Sequence, residues 1–136
     1  MGTARDWQAE VEEYYADTGV VLVNPRRDDW DPTWEQKVEN PHFYQQVKWE
    51  MNAIAASDAV LFVFEPGTKS PISIGELYMC AATRPDEIVV VCPDGFWRKG
   101  NIDIVLEHFG ARPAVDRLSD AYRELERIIR AKRVHK

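Results

Sequence analysis

Two short apolar runs, Ala59–Phe64 and Ile88–Val91, constrain the fold of this chain more than any other feature. Neither carries a charge, and each has the length of a strand covered on both faces. The segment between them is too long for a hairpin turn. Its Ser70–Ala82 stretch reads as an apolar helix running to about Thr83, where Arg84-Pro85-Asp86 breaks it. Strands joined through a helix pair in parallel, and a parallel sheet takes helices on both faces. The class is therefore α/β, with a mostly parallel sheet in a three-layer αβα arrangement.

The remaining segments fit that scheme. Residues 3–18 read as an amphipathic helix, with Thr3 as N-cap, Ala4, Trp7, Val11, Tyr14 and Tyr15 on one face, and Gly19 at its end. Val20–Val23 reads as a short buried strand, followed by a polar, turn-rich loop from Asn24 to Pro32. Asn40-Pro41 reads as an N-cap with proline at the first helical position, opening a helix whose core face is Phe43, Val47, Met51 and Ile54. A further helix is expected over about Gly100–Phe109, an edge strand over Ala111–Val115 despite Pro113, and a last helix marked by Leu118, Tyr122, Leu125 and Ile129. Folds of this class normally open on a central strand, whereas this chain opens on a helix. The first strand is thus expected to be absent, either because the sheet is built without it or because the sequence has lost it.

At 136 residues, with no linker or repeat, the chain is expected to form a single domain, residues 1–136. Its formal charge is -6 and it has no long basic run, which argues against a nucleic-acid polymer as partner. No stretch approaches the roughly 20 apolar residues of a membrane span, and the start has no signal-peptide pattern. Cys80 and Cys92 lie in apolar segments and read as buried free thiols, consistent with a cytoplasmic location. Neither has metal-ligand spacing with a histidine.

One residue in the helical stretch carries chemistry. Glu76 is a lone carboxylate among Ile, Leu, Met and Ala, and a buried charge must be hydrogen-bonded or used. It follows the carboxyl end of a strand, where open α/β sheets bind ligands. Glu76 is the candidate nucleophile, against the alternative of a helix-terminal carboxylate satisfied by backbone amides.

Three stretches taken together resemble the nucleoside 2-deoxyribosyltransferase superfamily, in its branch of short deoxyribosyltransferase-like proteins. They are Asp6-Trp7-Gln8 with Asn24-Pro25-Arg26-Arg27-Asp28; Trp49-Glu50 through Ser57-Asp58, Phe64-Glu65-Pro66 and Ser70-Pro71-Ile72 to Gly75-Glu76-Leu77; and Gly95-Phe96-Trp97-Arg98-Lys99-Gly100-Asn101. The resemblance implies a flavodoxin-like sheet with its active site at the carboxyl ends of the strands. It implies Glu76 as the nucleophile toward the anomeric carbon, Glu50 as the supporting acid, and Asn101 reaching sugar hydroxyls across a subunit interface. It also implies a homodimer or larger homo-oligomer, and no metal or organic cofactor. Ser70 stands where many of the transferases carry an aspartate, and can hydrogen-bond a sugar hydroxyl or phosphate but cannot act as a base.

Other residues carry two readings each. Asn101 serves equally as an N-cap, and Asp58 as a turn residue before a strand or as a ligand. Arg26 and Arg27 can clamp a phosphate or base, or pair with Asp28, Asp29 and Asp31. Trp30, Trp34 and Phe43 can wall a planar base or serve as lid or core. Trp97, Arg98 and Lys99 belong to a substrate loop or a subunit interface. The resulting expectation is cleavage or transfer of the N-glycosidic bond of a (deoxy)nucleoside or its 5′-monophosphate. The alternative is a catalytically inactive nucleotide-binding or scaffolding protein of the same fold.

Overall fold

The computed structural model describes residues 6–24, 33 and 35–134. The chain divides into two compact units, one spanning Asp6–Ser57 and one built mainly of Asp58–Lys136.

The second unit holds the sheet. Strands β1 (Val60–Val63) and β2 (Ile88–Val91) pair in parallel, Val60 opposite Ile88 through Val63 opposite Val91. All four residues of β2 are buried, which is what an unbroken Ile-Val-Val-Val run requires. Beyond β2, Val115 forms an isolated parallel bridge to Val91, its N–H donating to the Val90 carbonyl at 2.8 Å and its carbonyl accepting from Cys92 at 2.9 Å. The edge strand expected over Ala111–Val115 is thus reduced to one bridge. Pro113 has no N–H to extend a ladder.

Pro71–Thr83 is a helix that ends where expected, and a 3-10 turn at Pro85–Glu87 leads into β2. Two further helices in this unit are Lys99–His108, which packs against Pro71–Thr83, and Leu118–Val134, which packs against β2. The terminal helix buries Leu118, Ala121, Leu125 and Ile128, so its core stripe passes through alanine where the sequence periodicity favours Tyr122 and Ile129. Its last turn is basic, and Lys132 pairs with Glu87. Phe64, fully buried just past β1, meets Phe96, their ring centroids 5.0 Å apart. Cys80 and Cys92 are both free and buried.

The first unit is helical. In chain order the helices are α1 (Trp7–Tyr14), α2 (Pro41–Ala56), α3 (Pro71–Thr83), α4 (Lys99–His108) and α5 (Leu118–Val134). Helix α1 is capped by Asp6, whose Oδ1 accepts from the Ala9 N–H at 3.1 Å; Thr3 lies outside the described residues. It buries Gln8 and Val11 and leaves Tyr14 exposed, a rotation of the expected face. Asn40 caps α2 as expected, accepting from the His42 and Phe43 N–H groups, with Pro41 at the first position. Val20–Val23 is not a strand. Val21 is 87% exposed and Val23 52%, and no ladder reaches them among the described residues. A strand exists only where a neighbour satisfies its amides, and that neighbour is not encoded in the run itself.

Candidate functional site

The loops that leave the carboxyl ends of β1 and β2 are laced together. The Trp97 indole N–H donates to the Lys69 carbonyl at 2.9 Å. Gly95 has φ 98°, and a Cβ there would lie 3.6 Å from Pro66 Cβ, so the two turns approach closely where a left-handed backbone is needed. Lys99 Nζ donates to the Cys92 carbonyl at 2.9 Å and pairs with Asp103 at 3.3 Å, fixing the second loop to the start of α4. These are the positions where ligands meet a parallel α/β sheet.

Glu76 is the only charged residue of α3, half-buried on its second turn, with Leu77 and Cys80 fully buried beside it. No acidic residue occupies the first turn. The helix dipole acts within that turn, and by the sixth helical position backbone amides are already engaged in i→i−4 bonds. The helix-terminal explanation for Glu76 therefore loses its physical basis. The exposed positions around it (Ile72, Gly75, Tyr78 and Met79) are all uncharged. Burial raises the pKa of Cys80, one turn on, and the Glu76 charge adds to that rise while Arg84 opposes it.

Ser70 occupies the cap position of α3 in a left-handed conformation, φ 50° and ψ 49°. For a residue with a side chain this costs about 1–2 kcal/mol. The residue before a proline is also disfavoured in the right-handed helical region, so the helix cannot extend back through it. The Ser70 hydroxyl does not cap the helix. It lies 3.1 Å from the Thr68 hydroxyl, which donates to the Glu65 carbonyl at 2.8 Å. Beside it, Lys69 Nζ and Arg98 Cζ each lie 4.3 Å from the centroid of the Trp97 indole.

Asn101 is exposed at the third position of α4, and the cap position belongs to Arg98, so its N-cap reading is not met. Asp58 is exposed ahead of β1, at the amino end of the strand, opposite the end that leads to Glu76. Arg26, Arg27, Trp30 and Trp34 lie outside the described residues.

In the helical unit, Glu50 sits on α2 half-buried, its Oε1 accepting from Gln46 Nε2 at 3.0 Å. Gln46 is itself buried, whereas Met51 is 46% exposed. The protected stripe of α2 thus runs Phe43, Gln46, Val47, Glu50, Ala53 and Ile54, and Glu50 lies on it instead of on a solvated polar face. Sequence reasoning missed Gln46 and Lys69. The i, i+4 spacing from Gln46 to Glu50 was the available signal for the first. For Lys69 there was only its place immediately ahead of a helix-opening Ser-Pro.

Among the described residues no group of three His, Cys, Asp or Glu could hold a metal ion, and no helix is long and apolar enough to cross a membrane. No curated protein matches the chain. A family model described as nucleoside 2-deoxyribosyltransferase like matches residues 1–96, a span that includes Glu50, β1, all of α3 and β2 but stops before α4, and the chain belongs to that family.

Proposed function

We propose that this protein cleaves or transfers the N-glycosidic bond of a nucleoside or nucleoside 5′-monophosphate, with Glu76 as nucleophile. A Glu76 carboxylate oxygen attacks the anomeric carbon as the carbon–nitrogen bond breaks, and the bonding pair leaves with the base. The departing base takes a proton from an acid, a role we give to Glu50. Water, or a ring nitrogen of a second base, then attacks the glycosyl ester and frees Glu76, returning a proton to that acid. Ser70 and Asn101 are assigned to the sugar hydroxyls, and Asn101 is assigned to act across a homo-oligomer interface.

The observation that supports this reading is Glu76 itself. It is a half-buried carboxylate on an otherwise uncharged helix, beyond the reach of the helix dipole, following the carboxyl end of a parallel strand. The test is base release, by chromatography, from deoxynucleosides, ribonucleosides and their 5′-monophosphates, with and without a second free base. Release by wild type and its loss in Glu76→Ala and Glu76→Gln is the expected result. Dependence on the acceptor base separates transferase from hydrolase. A folded wild-type protein that releases no base from any substrate, yet binds one, would overturn the enzymatic reading in favour of an inactive nucleotide-binding protein.

A further inference from the structure

We infer that Lys69, Trp97 and Arg98 form a phosphate site at the carboxyl end of the sheet, taking a phosphate group that the substrate carries or that enters free. The inference rests on the reading of the Glu76 site as a nucleoside site. It adds what that reading leaves open, the anionic group recognised there.

The argument begins with charge. Lys69 and Arg98 come from different loops, yet each cation lies 4.3 Å from the same indole centroid, so the two charges are within twice that distance of one another. The chain carries 23 Asp and Glu against 17 Lys and Arg, so carboxylate counterions are plentiful. Among the described residues neither Lys69 nor Arg98 has a carboxylate within ion-pair distance, as is also true of Lys48, Arg117, Arg123, Arg130 and Arg133, and what sets this pair apart is the indole they share. Helix stability does not explain Arg98 either, because a cation at the cap position of α4 opposes the dipole.

The indole supplies what holds the two together. Its N–H is committed to the Lys69 carbonyl at 2.9 Å, which orients the ring, and its π system attracts both cations. A guanidinium stacked on a ring keeps its in-plane N–H donors available, and an ammonium keeps donors directed away from the ring. The result is a pair of exposed, preoriented cations with free donors and no counterion among the described residues, a match for the several acceptor oxygens of a phosphate. Lys69 adjoins Ser70, at the cap position of α3. From Ser70 to Glu76 the helix rises about 9 Å. An anion held at the loop is therefore on the nucleophile's own helix, one to two turns before it.

The test is equilibrium binding by calorimetry, using the full chain in a Glu76→Gln background so that no turnover disturbs the titration. The ligands are the common deoxynucleosides, their 5′-monophosphates, and inorganic phosphate. The comparison variant is Lys69→Met with Arg98→Met, which removes both charges but keeps an unbranched stem against the indole; thermal melts verify that it folds. The expected result is monophosphate binding at least tenfold tighter than the matching nucleoside, with the ratio falling to about one in the double variant. Arg98→Lys, which keeps the charge but not the fork, should fall between them. Inorganic phosphate bound without any monophosphate preference, and lost in the double variant, would support the site with free phosphate as its ligand. A monophosphate preference or phosphate binding that survives in the double variant, or the absence of both in the parent, would overturn the inference. Base release is measured separately on wild type. Absent turnover with an intact phosphate preference counts against the glycosidic reading and for this one.

Discussion

Replacing Phe64 by alanine tests whether the two loops of the candidate site are held by the core beneath them. Phe64 is the largest of the fully buried side chains, it lies one residue past β1, and its N–H donates to the Val91 carbonyl at 2.9 Å. Its ring lies 5.0 Å from Phe96, which precedes Trp97, and is stacked 6.4 Å from Phe62. Truncation removes a whole aromatic side chain from a site with no exposure, so the lost transfer energy and the remaining cavity together should cost about 3–5 kcal/mol. The Phe64–Phe96 pair should contribute about 0.5–1.5 kcal/mol of that as direct coupling. Urea unfolding measures the first quantity, and a double-mutant cycle with Phe96→Ala measures the second. With an m-value of about 2 kcal/mol/M, the midpoint should fall by about 1.5 M or more. Loss of the contact also frees the loop that carries Trp97 and Arg98, so base release should fall in parallel under conditions where the variant remains folded. A cost below about 1 kcal/mol, or a coupling near zero, would refute the claim that this aromatic pair joins the two loops.

Two further outcomes follow from the same region. Burial pushes the Cys92 thiol up to about 11 from an ordinary 9.0, so at pH 8 its thiolate should be about 100-fold scarcer than in the unfolded chain. Reaction with a disulfide reagent should slow at least that much in the native state, and a rate within tenfold of the unfolded chain would contradict the burial. Gly75, next to Glu76, has open space where a Cβ would stand, so Gly75→Ala should stabilise α3 by about 1 kcal/mol in urea unfolding. The same variant should lower base release if substrate approaches the helix there, and unchanged release would place the substrate elsewhere.

Features encoded locally were legible in the sequence. The end of α3 near Thr83 and the Asn40-Pro41 start of α2 depend on residues within a turn of each other, and both are present as read. Features that depend on a distant neighbour were not. Val20–Val23 has the composition of a buried strand, but a ladder needs a partner that the run cannot specify. On α2 the hydrophobic period selects Met51, while the protected stripe passes through Gln46 and Glu50, polar residues that a count of apolar positions passes over. Lys69 acquires its surroundings from Trp97, 28 residues later, across a helix and a strand. The same separation hides most of the candidate site, which is assembled from two loops whose own sequences show only turn residues and charge.

Where Glu76 sits along its helix weighs most in choosing between a structural and a chemical role. A carboxylate that serves a helix belongs at the cap or in the first turn, where amides are unbonded and the dipole is felt. α3 places none there, although its cap position is held by a strained serine whose side chain does not cap, so a stabilising carboxylate would have found vacant donors. The carboxylate appears instead one turn later, half-buried, between an exposed glycine that weakens the helix and a fully buried leucine that fixes its register. The left-handed serine and the exposed glycine cost helix stability, while the buried leucine contributes to it. Their common consequence is a carboxylate held at a set depth on a rigid element, with open space beside it. That arrangement suits the nucleophilic role proposed for Glu76.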